Sequence, residues 1–138
     1  MPSFTVPLTE AGPVFDVVLS PTVFLTEKRR ASGLAVYSDP GTALIDTGAS
    51  QSVMSADLEF IHQLAPAGNV LIATPAAPAV DCFEYAVLIT FPANVQIESR
   101  LIAVPHLKHD VQCLIGRDIL RHGVFTYDGR SKSITVRF

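Results

Sequence analysis

The sequence has few charges, few basic runs and no long apolar stretch. Charged residues make up 17% of its 138 residues and the net charge is −3, which argues against a nucleic-acid surface. The short basic run Lys28-Arg29-Arg30 is interpreted as a solvated loop. The apolar stretches fall short of the roughly 20 residues needed to cross a bilayer. They are broken by Pro66, Pro75, Pro78 and Pro92. We therefore expect no nucleic-acid partner and no membrane span.

Cysteine is also scarce. Cys82 and Cys113 are too few for a disulfide scaffold or a structural zinc site. We expect two buried free thiols, with one disulfide as the less favoured alternative. The N-terminus lacks the basic start and apolar core of a secretion signal, so we expect a cytoplasmic protein.

The residues that are present predict an all-β protein. Nearly half of them, 49%, are apolar, and the length allows one core, so we expect a single domain over residues 1–138. Short β-branched runs recur between turn residues, as strands require. The predicted strands are Phe4–Leu8, Val14–Ser20, Leu34–Ser38, Ala43–Ile45, Asn69–Ala73, Tyr85–Phe91, Val95–Val104, Val111–Ile115, Val124–Tyr127 and Ser133–Phe138.

Turns and short helices complete the predicted layout. Asp39-Pro40-Gly41 and Asp128-Gly129 are predicted turns, the second joining the last two strands as a hairpin. The stretch Pro75-Ala76-Ala77-Pro78 is not expected to form ordinary strand, because proline cannot donate to a ladder. Helices are predicted over Ser55–Leu64 and Asp118–His122, the second ended by Gly123.

One acid follows an apolar strand directly, in Ala43-Leu44-Ile45-Asp46-Thr47-Gly48-Ala49-Ser50. A carboxylate at this position is costly unless it is paired or hydrogen-bonded. Gly48 permits a sharp turn and close approach of a ligand, and the Thr47 hydroxyl can hold the turn rigid. The simpler alternative is a strand-ending turn whose Asp bonds its own backbone. Some seventy residues later comes Cys113-Leu114-Ile115-Gly116-Arg117-Asp118-Ile119-Leu120, an apolar strand, a glycine and a short helix.

With these two motifs in this order, the chain resembles the retropepsins, the retrovirus-type aspartic proteases and their cellular and bacterial relatives. The resemblance covers almost the whole chain. It implies a closed or partly open β-barrel with a flap hairpin, within roughly residues 69–87 and with its tip near residues 74–80. By resemblance, Asp46 is the catalytic acid, Thr47 ties two active-site loops together across a dimer, and Gly48 lines the cleft. Gly116 and Arg117 match the element that supports the active-site loop.

The chemistry implied by the resemblance needs two carboxylates, one as general base on water and one as general acid. Two close acids share one proton, because both cannot ionise cheaply side by side. Since the chain offers one Asp-Thr-Gly, we expect an endopeptidase that is active as a homodimer on polypeptide substrates. Neither a metal nor another cofactor is required. The alternatives left open are a catalytically silent dimerisation or peptide-binding module and a highly selective processing protease.

The chain departs from the family pattern at three places. Ser50 stands where retroviral members often carry an Asp that pairs with the Arg matched by Arg117, so Arg117 needs another partner, such as Asp118, Asp110 or a carbonyl. Ala49 lacks a hydroxyl that would stabilise the ionised pair, so we expect activity toward weakly acidic or near-neutral pH. The flap carries proline where viral flaps carry glycine. By alignment of the motifs, the predicted substrate-binding residues are Leu44, Ala49, Ser50, Val53, Ile72, Thr74 and Val111, which favour an apolar substrate residue.

Other chemistries have weaker support in the sequence. His106, His109 and Asp110 could suggest a metal, but Pro105 precedes them and no helical pattern surrounds them, so exposed loop histidines are favoured. No G-x-S-x-G surrounds a serine, and Cys82 has no plausible His partner, which argues against a serine or cysteine hydrolase. Nucleotide-binding glycine motifs are absent.

Overall fold

A computed structural model describes residues 1–74, 77–105, 107 and 110–138, and these residues form ten strands and two α-helices. The strands are β1 (Ser3–Pro7), β2 (Val14–Ser20), β3 (Asp39–Ile45), β4 (Val53–Ser55), β5 (Gly68–Thr74), β6 (Ala77–Phe91), β7 (Val95–Val104), β8 (Cys113–Ile115), β9 (Val124–Asp128) and β10 (Ser133–Arg137). The helices are α1 (Val23–Ala31) and α2 (Arg117–Leu120), with 3₁₀ turns at Glu59–Gln63 and Pro92–Asn94. In the described part of the chain, no helix is long and apolar enough to span a membrane.

Six of the strands close into a barrel. The sheet runs in the order β2-β3-β8-β4-β7-β6-β5, and β2 also pairs with β6, which leaves β5 outside the closed ring. Alternate residues of each strand point inward, as the period of two requires. The inward residues of β3, β4 and β8 belong to one apolar core: Ala43, Ile45, Met54, Cys113 and Ile115. The predicted all-β barrel is confirmed.

The hairpin of β5 and β6 extends beyond the barrel. Its pairing starts at Gly68↔Glu84 and reaches Thr74↔Ala77, while the second half of β6 pairs with β7. This is the predicted flap hairpin, although its strands run further than predicted. Pro78 lies within β6, so the expectation that residues 75–78 form no strand is wrong for Ala77 and Pro78. Proline is tolerated there because this half of β6 pairs with β5 alone among the described residues, which leaves its other edge without a ladder. Residues 75 and 76 lie outside the described part.

The terminal strands form a second sheet, in the order β1-β10-β9. The predicted hairpin of β9 and β10 is confirmed, with Asp128 paired to Ser133. Asp128 Oδ1 accepts the backbone N–H groups of Ser131 and Arg130, and these hydrogen bonds, that of Ser131 first, lower the pKa of Asp128. The small sheet packs on the barrel through an aromatic cluster in which ring centroids lie 5.0–5.9 Å apart. Its members are Phe4, Phe15, Phe91 and Phe138.

Several predictions for the first half of the chain are wrong. Helix α1 lies where no helix is predicted; the Thr22 hydroxyl accepts the N–H of Leu25 as an N-cap, and Lys28-Arg29-Arg30 form its last turn instead of a loop. Leu34–Ser38 is not a strand. Asp39-Pro40-Gly41 is not a turn but the start of β3, paired with Val17–Leu19 of β2. At Pro40 the other side of β3 is uncovered by the described strands, since β8 pairs only from Ala43 onward, so the missing N–H is harmless.

The predicted helix Ser55–Leu64 is reduced to the 3₁₀ turn Glu59–Gln63. Ser55 is the last residue of strand β4, which was not predicted. The turn is held by hydrogen bonds to two residues earlier in the chain. The N–H of Phe60 donates to Asp39 Oδ2 at 2.8 Å, and the buried Gln63 side chain bonds both the N–H and the carbonyl of Tyr37. These long-range contacts replace the intrahelical bonds of a longer helix.

Candidate active site

Asp46 lies immediately after β3, where the strand ends in a tight loop. Its backbone N–H donates to the Ile115 carbonyl at 2.9 Å, which fixes the loop to the end of β8. The N–H of Gly48 donates to Asp46 Oδ1 at 2.9 Å, and the N–H of Ala49 donates to the Asp46 carbonyl at 3.1 Å. A Cβ added to Gly48 would lie 3.2 Å from the same Oδ1, so a larger residue here would crowd the carboxylate. The carboxylate is held at the mouth of the loop while Asp46 stays half-buried.

The second motif lies directly behind this loop. A Cβ on Gly116 would be 2.9 Å from the Ala49 carbonyl oxygen, so only glycine allows the two segments to approach this closely. The N–H of Arg117 donates to the same oxygen at 2.9 Å. Arg117 Nη1 donates to the Thr47 carbonyl at 2.8 Å. Gly116 and Arg117 thus both lie against the Asp46 loop. Arg117 bonds the Thr47 carbonyl, which is one of the partners expected for it because Ser50 has no carboxylate.

The loop is joined to helix α2 by Ser52, which the sequence reasoning missed, and by Asp118, which it offered only as a partner for Arg117. Ser52 is fully buried, and its hydroxyl donates to Asp118 Oδ1 at 2.6 Å while accepting the Gly116 N–H at 2.8 Å. Asp118 Oδ2 also accepts the Ser52 N–H at 3.0 Å. The signal available in the sequence is weak: a serine before an apolar strand, and an acid directly after Gly-Arg. Together they lock the chain after the loop to the start of α2.

An apolar wall runs away from Asp46 on the outer face of the barrel. Leu44, Leu114 and Val53 are paired in register across β3, β8 and β4, and all three are half-buried, whereas their neighbours in sequence point into the core. The wall continues to the flap through a second apolar cluster. That cluster contains Cys82, Ile102 and Val104, with Val53, Val70, Ile72 and Leu107 packed against them. Predicted residues Leu44, Val53 and Ile72 therefore share one face, and Leu114 joins them as a residue that was not predicted.

The comparisons with known proteins concern the fold. No protein-family model matches the chain, and no curated protein sequence matches it. A crystal structure of a retropepsin-like aspartic protease from Rickettsia conorii superposes with a TM-score of 0.51, over 98% of this chain and 89% of that chain, at 12% identity. The chain has a retropepsin-like fold. A likeness at this low identity shows the fold alone.

Four further residues were predicted to bind substrate: Ala49, Ser50, Thr74 and Val111. Ser50 is exposed and Ala49 half-buried, both in the loop after Asp46. Val111 is only 5% exposed, so it has little surface to offer a ligand. Thr74 is the last residue of β5, beside the two residues at the hairpin end that lie outside the described part. These residues stay predictions.

The two thiols are free and buried, as predicted. Burial, and after it the nearby Asp118, raises the pKa of Cys113 to about 12. Desolvation, and after it Asp81, raises the pKa of Cys82. Both thiols therefore stay protonated near neutral pH, which is the opposite of what a cysteine nucleophile needs.

The histidine string is the one stretch whose sequence suggests metal ligands. Among the residues that the structure describes, no group of three or more His, Cys, Asp or Glu side chains is arranged to hold a metal ion. His106 and His109 of the H-x-x-H-D string lie outside the described residues. His62 and His122 are exposed.

Proposed function

We propose that the protein is an aspartic endopeptidase that acts as a homodimer on polypeptide substrates. The observation that carries the proposal is the position of Asp46. Its carboxylate is held by the Gly48 N–H at the open end of a loop braced by Gly116 and Arg117, and an apolar wall begins beside it at Leu44. A held, half-exposed carboxylate next to an apolar wall is suited to work on a bound peptide.

The second carboxylate of the pair would come from a second copy. Asp118, the acid tied to the loop from behind, is occupied by hydrogen bonds from Ser52 and from the N–H of Ile119, so it serves to position the loop. Thr47 and Gly48 are exposed in this chain, which leaves the tip of the loop open to a partner. A two-fold axis at the loop tip would bring the two Asp46 side chains together, as an isologous dimer allows.

In the proposed mechanism, the ionised member of the pair takes a proton from a water held between the two carboxylates. The protonated member gives its proton to the carbonyl oxygen of the scissile peptide bond as the water oxygen adds to the carbonyl carbon, which forms a gem-diol. The gem-diol then returns one proton to a carboxylate while the leaving nitrogen takes the proton of the other, so that the C–N bond breaks and the pair again shares one proton. The Leu44–Leu114–Val53 wall would favour an apolar residue beside that bond. With Ala49 offering no hydroxyl to the ionised pair, the proposed activity extends toward near-neutral pH.

The test is cleavage of a peptide library by the wild-type chain and by Asp46→Asn, with and without the transition-state mimic pepstatin. The expected result is cleavage by the wild type, its inhibition by pepstatin, and its loss in Asp46→Asn. The matched control is Asp57→Asn, which changes an exposed acid away from the loop and should keep full activity. Cleavage that survives Asp46→Asn contradicts the mechanism. A folded wild type that dimerises but cleaves nothing supports the silent module instead.

A further inference from the structure

The two terminal strands pair with each other inside one chain. β1 runs antiparallel to β10 over its whole length, and β9 pairs along the other side of β10. Both edges of β10 are therefore occupied by strands of the same molecule. The buried side chains of this sheet, Phe4, Ile134 and Val136, belong to the core of the same chain. The C-terminal strand thus has no free edge to offer to a second copy.

The outer edge of β1 is poorly suited to pairing with another strand. Just beyond β1, the Leu8 N–H donates to the Lys132 carbonyl at 2.8 Å. Residues alternate in an antiparallel ladder, so the backbone groups directed outward are those of Ser3, Thr5 and Pro7. Pro7 has no N–H, which leaves two N–H groups on a strand of five residues. Short strands and prolines keep sheet edges from joining one another.

The outer strand on the other side, β9, lacks a continuous apolar surface. Its two large exposed apolar side chains, Val124 and Tyr127, are three positions apart in the strand. They therefore point to opposite faces of the sheet. The other residues on the Val124 face of β9 are the polar Thr126 and Asp128. The terminal sheet thus provides little apolar area for a contact between two copies.

The surface around Asp46 is also short of apolar side chains. The exposed residues of its loop are polar or lack a side chain, and they are Thr47, Gly48, Ser50 and Gln51. Within 38–70 and 84–123, the stretches that hold both motifs of the site, no large apolar side chain is exposed among the described residues. Stable protein contacts have about 20–30 residues on each side, and those of homodimers are more apolar than the rest of the surface. A contact made at the loop tips is therefore weak.

A bound peptide would supply the contact that the two loops lack. The apolar wall begins at Leu44 beside Asp46 and continues through Val53 to Ile72 of the flap. Val80, which pairs with Ile72 and so lies on the same face, is 41% exposed. In two copies related by a two-fold axis at the loop tips, the walls would meet where the two carboxylates meet. An extended peptide laid across the axis would contact both walls and link the two copies.

Building on the proposed function, we propose that the active dimer keeps its terminal strands within each chain and assembles on its peptide substrate. Free protein at low concentration is then monomeric and inactive, since one Asp46 makes half a site. The peptide raises the share of dimer by mass action, because it binds the dimer and not the monomer. Cleavage is thus controlled by the concentrations of protein and substrate together.

The first measurement is the initial rate of cleavage of the best-cleaved library peptide, at wild-type concentrations from about 10 nM to about 10 µM. With peptide far below KM, doubling the protein at low concentration should raise the rate about fourfold, since two copies must meet. With peptide at about ten times KM, the protein concentration that gives half-maximal rate per chain should fall about elevenfold, which is one plus that ratio.

A rate proportional to protein at all concentrations, or a half-maximal concentration that peptide leaves unchanged, would overturn the proposal while the proposed function stands. Absence of cleavage at every concentration would overturn the proposed function, and the substrate-assembled dimer with it.

The second measurement fixes the terminal strands with a disulfide. Thr5 and Thr135 lie directly opposite each other on β1 and β10, with their hydroxyl oxygens 2.9 Å apart, which suits a bridge in the double variant Thr5→Cys/Thr135→Cys. The oxidised variant should run as a single chain on a non-reducing gel and keep its cleavage rate within about twofold. The matched control is Thr5→Cys/Thr126→Cys, which places the second thiol one strand further away on β9 and should form no bridge within a chain.

A link between two chains in the Thr5→Cys/Thr135→Cys variant would show that the active dimer exchanges its terminal strands, and would overturn the proposal. Cleavage that is lost on oxidation and restored by a reductant would overturn it as well, because the active state would then need the two strands to separate.

Discussion

Replacing Ser52 by alanine should destabilise the protein far more than its place beside an exposed loop suggests. The hydroxyl is fully buried and bridges two groups: it accepts the Gly116 N–H at 2.8 Å and donates to Asp118 Oδ1 at 2.6 Å. In Ser52→Ala, the buried N–H loses its acceptor and the carboxylate loses one of its donors. The change therefore acts on the contact that locks the active-site loop to helix α2.

The magnitude follows from the two lost bonds. A buried donor without a partner costs about 1–3 kcal/mol, and a hydrogen bond to a charged group contributes about 1.5–3 kcal/mol. Asp118 is half-buried and still accepts the N–H groups of Ser52 and Ile119 in the variant. The free energy lost with its Ser52 hydroxyl bond is therefore at the low end of that range. The expected decrease in the free energy of unfolding is about 2–4 kcal/mol, a large share of the roughly 5–15 kcal/mol typical of a domain.

The assay is urea unfolding followed by circular dichroism. With a slope of about 1–3 kcal/mol per molar urea, Ser52→Ala should lower the midpoint by about 1–2 M. The matched control is Ser50→Ala, an exposed serine two positions away, which should change stability by less than about 0.5 kcal/mol. A double-mutant cycle with Asp118→Ala should show a coupling energy of at least about 1 kcal/mol. A loss below about 0.5 kcal/mol for Ser52→Ala, or no coupling, would show that the buried hydroxyl does not stabilise this contact.

Three further predictions concern the same region. Gly116→Ala should lower the free energy of unfolding by about 1–3 kcal/mol in urea titrations, because the added Cβ would meet the Ala49 carbonyl at 2.9 Å; a neutral effect would mean that the segments move apart freely. Arg117→Ala should change stability by less than about 1 kcal/mol yet lower kcat/KM at least about tenfold, since its bond to the Thr47 carbonyl positions the loop; unchanged kcat/KM would exclude that role. Burial raises the pKa of the native Cys113 thiol from 9.0 to about 12, so unfolding releases a proton between these values. Stability should therefore fall between pH 9 and 12 by about 1.4 kcal/mol per pH unit more in the wild type than in Cys113→Ala; parallel pH profiles would contradict this.

The strands predicted most accurately are those whose own residues and flanking turns carry the signal. Val14–Ser20 and Val95–Val104 are observed with the predicted bounds, because both are rich in β-branched and other apolar residues between clear turn residues. The Asp46 loop and the Gly116 motif behind it could also be predicted, since an acid or a glycine that directly follows an apolar strand stands out in the sequence. Their contact through the Ala49 carbonyl is visible only in the fold.

The failures come from long-range contacts that local patterns do not contain. Helix α1 begins with Val23-Phe24-Leu25, which favours strand by propensity, but the Val23 N–H donates to Glu98 Oε1, 75 residues away in sequence. Asp39-Pro40-Gly41 has the composition of a turn, but pairing with β2 draws it into β3. Ser52 gives no local sign of its role, because its two partners lie more than sixty residues away in sequence.

Mixing of subunits tests whether one site is shared by two copies of Asp46. Wild-type chain and Asp46→Asn are combined in equal amounts under conditions that allow exchange, and peptide cleavage is measured at fixed total protein. If both carboxylates are needed, only wild-type pairs act, and cleavage falls to about one quarter of the all-wild-type rate. Cleavage at about one half would show that each chain acts alone, and would contradict the shared pair.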